Sequence, residues 1–286
     1  RDLVRSRGLG DVYKRQALYA ARAGQEVVVI SMGMGALSKA ELIQNYYGFE
    51  EGITGAELYR QGVAGAKAVG AEFITAEVVG LDYTGSLVVQ TTEGDYPADA
   101  VILATGAGRI APKIAGLAEH EGRGVSYCAT CDAFFYRGKT AAVLGSGEYA
   151  LHEVQALLPL AGRVILCTNG EPLTADFPEG VEICTEKLAA VEGEEKVSAL
   201  RLENGELLPV EGLFVALGVA GSAALARKLG APVENGRIVV DEKMQTGIPG
   251  LYAAGDCTGG LLQVCKAVYE GALAATEAIK QIRGKK

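Results

Sequence analysis

Between Lys139 and Cys167 the chain reads KTAAVLGSGEYALHEVQALLPLAGRVILC, an apolar strand, a glycine turn, a helix and a second apolar strand. That succession is the core unit of a dinucleotide-binding domain, and it commits the region to α/β architecture around a parallel sheet. A strand running directly into Gly145-Ser146-Gly147 and a helix aims backbone N–H groups and a positive helix end at one point. Glycine is needed there because a Cβ would block a close-lying pyrophosphate. The third position of the pattern is Ala150, a GxGxxA variant. Two readings stay open: a nucleotide site contacted by Gly145, Gly147 and Glu148, or a retained fold without a pyridine-nucleotide ligand.

The same plan occurs earlier in the chain. Ala17 to Ile30 reads helix then strand, a long helix follows around Gly55 to Val69, and a run of strands ends in AVILATGAG at residues 100–108. The second copy also ends in strands and an apolar run, GLFVALGVAG at residues 212–221. Each half therefore reads as a Rossmann-like domain with an inserted β-meander. The tail, TGIPGLYAAGDCTGG and then a helix from Leu262 to about Ile282, has no strand partner in the second half and is expected to complete the first. The expected division is 17–110 with 244–286 as one discontinuous domain and 111–243 as the other. A chain of 286 residues with 49% hydrophobic residues and 39 glycines can bury two such cores and supply their tight turns.

Residues 1–16, RDLVRSRGLGDVYKRQ, read differently. They carry a net charge of +3 in a chain whose total is −8, leaving −11 for the remainder. No apolar strand of the expected kind precedes the helix at Ala17, so the first strand and glycine turn of the first domain are expected to be missing or replaced. The segment resembles translated adapter or vector sequence, and it is set aside from the fold reading as non-native. A basic arm for nucleic acid or membrane is the alternative it leaves.

Cys128 and Cys131, in CATCD, supply chemistry. Two thiols with two residues between them can close into a ring, and the pairing lets one become a thiolate while the other keeps its proton. A structural zinc site would need a second such hook. Cys167, Cys184, Cys257 and Cys265 are widely spaced in or beside apolar runs, where buried inert thiols are expected, and no metal site is expected. A carboxylate beside the pair, Asp132, can carry the proton that thiol–disulfide exchange must move. Six cysteines in a chain this long are too sparse for a secreted disulfide scaffold, which points to a reducing cytoplasm. No apolar run approaches the roughly 18 residues that span a bilayer.

GRGVSYCATCDAFFYRGK (122–139), IQNYYGFEEGITGAEL (43–58), ATGA (104–107) and GIPGLYAAGDC (247–257) together resemble the low-molecular-weight thioredoxin reductase family. The resemblance runs from Ala17 to the C-terminus. It implies two Rossmann-like domains, an FAD domain and an inserted nucleotide domain carrying the CxxC, in a homodimer. It further implies an enzyme that reduces thioredoxin or a similar small protein disulfide, without nucleic-acid or membrane partners. By motif match Cys131 faces the flavin, Cys128 attacks the partner disulfide and Asp132 manages the proton. Asn45, Thr105, Gly106, Gly255, Asp256 and Gln263 are the FAD contacts, with Asp256 accepting from a ribityl hydroxyl.

Departures from the family pattern bear on the electron donor. NADPH enzymes place Arg or Lys after the second strand to hold the 2′-phosphate, whereas this chain has Thr168, Asn169, Gly170 and Glu171, with no basic residue before Lys187. Ala133 stands where the family has Gly, and Met34, Gly35 and Ala36 stand where a Gly-Gly-Gln approaches the flavin ring. The chain is thus similar to the branch in which ferredoxin supplies electrons. NADPH-dependent reduction, a non-catalytic flavoprotein redox sensor and a zinc-binding module remain as alternatives. Ferredoxins are acidic, so docking on this acidic chain would require a local basic patch, for which Arg137, Lys139, Lys266, Arg283, Lys285 and Lys286 are available.

Overall fold

The computed structural model describes residues 2–5, 11–106, 113–218 and 221–284, with side chains from residue 16 onward. The chain divides into two compact units, Arg1–Arg109 with Gly221–Lys286, and Ile110–Ala220. The return to the first unit falls at 221 and not at the expected 244. Helix packing explains the shift, since the segment beginning at Ser222 lies against strands of the first unit.

The first unit is built on strands β1 (Asp2–Arg5), β2 (Val27–Ile30), β3 (Glu72–Ile74), β4 (Val78–Tyr83), β5 (Leu87–Thr91), β6 (Gly94–Ala98) and β7 (Val101–Leu103), with helices α1 (Asp11–Arg22) and α2 (Gly55–Lys67). Strands β4–β6 form the antiparallel meander. Every residue of β2 and β7 is buried, as expected of parallel strands covered on both faces. Thr54 caps α2 by accepting from the Glu57 N–H at 3.1 Å, and Lys67 lies in its last turn, so both helix ends are complemented.

The second unit contains β8 (Val125–Ser126), the one-turn helix α3 (Ala129–Asp132), β9 (Thr140–Leu144), α4 (Glu148–Leu157), β10 (Arg163–Cys167), β11 (Glu182–Cys184), a meander of β12 (Leu188–Glu192), β13 (Ala199–Leu202) and β14 (Leu207–Pro209), and β15 (Gly212–Val215). Its parallel sheet has the order β11-β10-β9-β15-β8. Gly145 follows β9 with its N–H on the Cys167 carbonyl, at 2.9 Å. A Cβ on Gly145 would lie 2.3 Å from the Ala216 carbonyl oxygen, so close strand approach alone demands glycine there.

The chain then returns through α5 (Ser222–Lys228), the short hairpin β16 (Val233–Glu234) and β17 (Arg237–Ile238), β18 (Leu251–Ala253) and α6 (Val264–Gly284). Strand β18 pairs with β7, which completes a first-unit sheet of order β18-β7-β1-β2-β3, as the tail was expected to do. Alanines 267, 274, 275 and 278 on α6 and Ala17 and Ala20 on α1 share one buried core, and their small side chains let the two helices approach closely.

The first strand, expected to be missing or replaced, is not missing. Asp2–Arg5 occupies the central slot of the sheet, with Leu3 in parallel register to Val28 on one side and Val101 on the other. Two flanking strands leave a gap of one strand width whose backbone groups must be paired, and that constraint outweighs the charged ends of the segment. The glycine turn expected to be absent falls at residues 6–10, outside the described residues. Helix α1 begins at Asp11, so the boundary at Ala17 also moves. The join carries a cost: Gln16 is fully buried, and neither atom of its amide has a partner among the described residues. An unsatisfied buried amide costs about 1–3 kcal/mol. Gln16→Leu, of similar volume, is expected to raise Tm by several degrees, and an unchanged or lower Tm in a thermal melt would contradict that cost.

Candidate active site

Cys128 ends an extended segment and caps α3. Its Sγ accepts the Cys131 N–H at 3.1 Å, and the two sulfurs are joined as a disulfide with Cα atoms 5.4 Å apart. One helical turn brings residues i and i+3 onto the same side, which is why the CATC spacing closes a ring at a helix start. A sulfur at that position, once reduced, is favoured as thiolate by the helix N-terminus. Cys128 is 4% exposed, whereas Cys131 lies on the surface.

Asp132 is held against this turn. Its Oδ2 accepts from the Ser126 hydroxyl at 2.7 Å, and the Ser126 oxygen in turn accepts the Cys128 N–H at 3.1 Å. A proton acceptor is therefore tied to the backbone of the buried cysteine through one hydroxyl. The charge of Asp132 is felt nearby: the Tyr136 hydroxyl is pushed up, first by burial and then by Asp132.

Two participants were not identified from the sequence. Ser126 lies two residues before Cys128, a spacing that signals nothing until the strand end of β8 points it back. Glu153, on α4, is fully buried and accepts the Ala129 N–H with its Oε2, while Oε1 lies 3.3 Å from His152 Nδ1. Tyr149 adds a third anchor by donating to the Tyr127 carbonyl at 2.9 Å. Helix α4 thus supports the dithiol turn through two side chains one turn apart, Tyr149 and Glu153. His152 touches this support through Glu153. Beside the turn, Phe134 and Phe135 are each 67% exposed, with the Arg137 guanidinium over the Phe134 ring.

The glycine turn of this unit is covered. The Thr174 N–H donates to the Ser146 carbonyl at 2.8 Å, and a Cβ at Gly147 would lie 3.0 Å from the Thr174 hydroxyl oxygen. Glu148 opens α4, so the helix end where an anion would sit already carries a carboxylate. At the end of β10, Asn169 is in the left-handed region (φ 56°) with its Oδ1 accepting the Leu188 N–H at 2.8 Å. The Lys187 stem lies along Gly170.

In the first unit, Asn45 donates to Gln263 at 2.7 Å, which brings together two expected contacts 218 residues apart in the chain. Thr105 is engaged otherwise. Its hydroxyl accepts the Ser222 N–H at 2.8 Å and shares a short bond with the Ser222 hydroxyl, so it latches the segment leaving β7 to the start of α5. Gly106 has φ +77°. Gly255 (φ 83°, ψ −151°) adopts a conformation reserved for glycine; its N–H donates to Glu270 at 2.7 Å and its carbonyl accepts from Lys266 at 3.0 Å. Lys266 and Glu270 form a partly shielded ion pair at 2.8 Å, their side chains 15% and 11% exposed.

Asp256 follows, 9% exposed, and its Oδ1 is buried without a hydrogen-bond partner among the described residues. Burial raises its carboxyl above the ordinary range, against the opposing pull of Lys266. An orphaned acceptor at the end of β18 fits a ligand that brings a hydroxyl donor, as the ribityl chain of FAD would. Asp256, Gly255, Asn45 and Gln263 are the residues that would hold it. A separate open pocket of about 360 Å³, lined by Tyr46, Tyr47, Phe49 and Leu58 among others, contains none of these residues. Among the described residues no three His, Cys, Asp or Glu side chains are grouped as metal ligands, and no helix is long and apolar enough to cross a membrane.

Residues 15–271 match the family described as pyridine nucleotide-disulphide oxidoreductase. The chain is 34% identical to the thioredoxin reductase of Aquifex aeolicus (strain VF5), over 98% of this chain and 93% of that protein. Among solved structures, the atypical thioredoxin reductase TRi from Desulfovibrio vulgaris Hildenborough superposes with a TM-score of 0.93 at 39% identity, covering 100% of this chain and 99% of that one. A ferredoxin-flavin thioredoxin reductase from Clostridium acetobutylicum superposes at 0.74 with 33% identity, covering 99% and 98%.

Proposed function

Because this chain belongs to the pyridine nucleotide-disulphide oxidoreductases, and to the thioredoxin reductases among them, we propose that it is an FAD-dependent reductase of thioredoxin-like protein disulfides whose electrons come from ferredoxin. The observation that carries the disulfide chemistry is the Cys128–Cys131 bridge at the start of α3, with Asp132 joined to it through Ser126. FAD, held at Asp256, would supply the two electrons that open the bridge.

The chain's own residues handle the rest. In the reduced pair the thiolate at Cys128 is stabilised by the Cys131 N–H and the α3 terminus, and Asp132 takes up the proton it releases. Cys128 then attacks one sulfur of the partner disulfide, whose bond breaks, and the departing sulfur receives a proton. Cys131 attacks Cys128 in the mixed disulfide, which closes the bridge and frees the partner as a dithiol. Two thiols are oxidised and one disulfide is reduced, so the exchange balances. Phe134 and Phe135 offer exposed apolar area beside the sulfurs, as a protein partner requires.

Two features of the second unit support a donor other than NADPH. Thr174 lies over the glycine turn, and Glu148 sets a negative charge where a pyrophosphate would sit. The named electron source of the Clostridium acetobutylicum neighbour favours ferredoxin. Anaerobic mixing of the FAD-loaded chain with NADPH, NADH and reduced ferredoxin in parallel, read by flavin bleaching, tests the proposal. Bleaching by reduced ferredoxin alone is expected; rapid bleaching by NADPH would replace this donor with the nicotinamide.

A further inference from the structure

We propose that Cys184 and Cys167 form a second thiol–disulfide exchange site, at which Cys184 attacks a low-molecular-weight disulfide and Cys167 resolves the adduct, closing a bridge between β11 and β10. The two residues end neighbouring parallel strands and are paired in register. Strands in a sheet lie about 4.8 Å apart, which is inside the Cα separation of about 4.4–6.8 Å that disulfides use. The backbone pins both ends of the pair, since the Thr168 N–H donates to the Cys184 carbonyl and the Gly145 N–H to the Cys167 carbonyl, each at 2.9 Å. Strand β11 is three residues long and lies at the sheet edge, with a single strand neighbour among the described residues, so it can adjust to the bridge.

The pair divides its labour by environment. Cys167 is fully buried and Cys184 half-buried. The neighbouring Cys167 thiol brings the Cys184 thiol down to about 6, against burial and the charges of Glu186 and Glu206, with the Glu186 backbone assisting. The proximity of Cys184, with burial and the nearby Glu182, pushes Cys167 up. One accessible thiolate beside one protonated, shielded thiol is the arrangement that exchange requires. The expectation of four buried, inert thiols therefore holds for Cys257, whose buried Sγ donates to carbonyls and is pushed up by burial to about 12, but not for this pair, and Cys265 is exposed where a buried thiol was expected.

The chemistry closes without a metal or dioxygen. The Cys184 thiolate attacks one sulfur of R–S–S–R, that bond breaks, and R–S⁻ leaves and is protonated by water. Cys167 attacks Cys184, that S–S bond breaks, and the proton of Cys167 passes to the departing sulfur, which leaves as R–SH. Two protein thiols are oxidised and one small disulfide is reduced to two thiols. None of these atoms belongs to the dithiol at Cys128 and Cys131.

The test uses the full chain carrying Cys128→Ser and Cys131→Ser, which silences the other pair, incubated with oxidised glutathione and mapped by mass spectrometry. A cross-linked peptide joining Cys167 to Cys184, lighter by two hydrogen atoms, is expected. Adding Cys167→Ala should trap a glutathione adduct on Cys184, and adding Cys184→Ser should abolish both products. Without any substitution at the pair, iodoacetamide labelling of Cys184 should show a midpoint near pH 6. In Cys167→Ala that midpoint should rise by about one unit or more towards the ordinary thiol value near 8.5. A Cys184 inert to oxidised glutathione, an adduct that persists with Cys167 intact, or a midpoint in the ordinary thiol range before substitution would each overturn the proposal.

Discussion

Cys128→Ser is expected to lower reduction of a protein disulfide by about three orders of magnitude or more, while flavin content matches that of the unsubstituted chain loaded with FAD in the same way. A serine hydroxyl at the start of α3 can accept the Cys131 N–H as the sulfur does, so the turn should survive. It cannot become a nucleophile near neutral pH, because an N–H and a helix end lower a thiol into range but leave an alcohol far above it. The expected FAD contacts, Asn45, Gly255, Asp256 and Gln263, all belong to the other unit, which is why colour and turnover should separate. Thioredoxin reduction with reduced ferredoxin as donor, read beside the visible absorbance, makes the measurement. Retained turnover would remove Cys128 from the mechanism. Loss of colour along with turnover would show that the turn also supports the flavin. Cys131→Ser should behave differently and accumulate the mixed disulfide between Cys128 and the partner, because nothing remains to resolve it.

Glu270→Ala should have the largest effect on stability, about 3–5 kcal/mol. The carboxylate is bonded to Lys266, to the Thr258 hydroxyl at 3.1 Å and to the Gly255 N–H. Its removal strands an ammonium group that is mostly shielded from water and leaves the Gly255 turn, in its glycine-only conformation, without one of its anchors. Lys266→Met combined with Glu270→Leu should recover most of the loss, since removing both charges of a shielded pair costs far less than removing one. Denaturant unfolding of the three proteins decides the matter. A single-variant loss below about 1 kcal/mol, the scale of an exposed pair, would show that water reaches this site. Flavin retention should fall in step with Glu270→Ala, because Asp256 follows directly on the disturbed turn.

Much of this molecule was legible in one dimension because its signals are local. The CATC spacing closes at a helix start through the geometry of a single turn, and Gly145 and Gly147 mark a strand-to-helix junction whatever lies around them. The periodicity of the two halves, and the tail that lacked a strand partner, sufficed for two Rossmann-like units and for a discontinuous first one. The boundary at 221 was harder to place, because Ser222 earns its position from a hydrogen bond to Thr105, 117 residues earlier. The polar ends of Asp2–Arg5 concealed a central strand, whose place depends on a gap between β2 and β7 and not on its own hydrophobicity. Ser126 and Glu153 were missed for the same reason: a serine before a CxxC and a glutamate on a helix are ordinary until the fold turns them onto the same loop.

Chain order by itself determined which groups this protein has for moving electrons and protons, and the kind of fold that holds them, because strand, turn and helix preferences and the reach of a CxxC act over a few residues. Only the tertiary structure decided which of those groups meet. It set Thr174 over the glycine turn, left Asp256 with an unpaired oxygen and brought Cys167 beside Cys184, since each outcome depends on segments distant in sequence arriving within hydrogen-bond reach and on the burial that makes the encounter count.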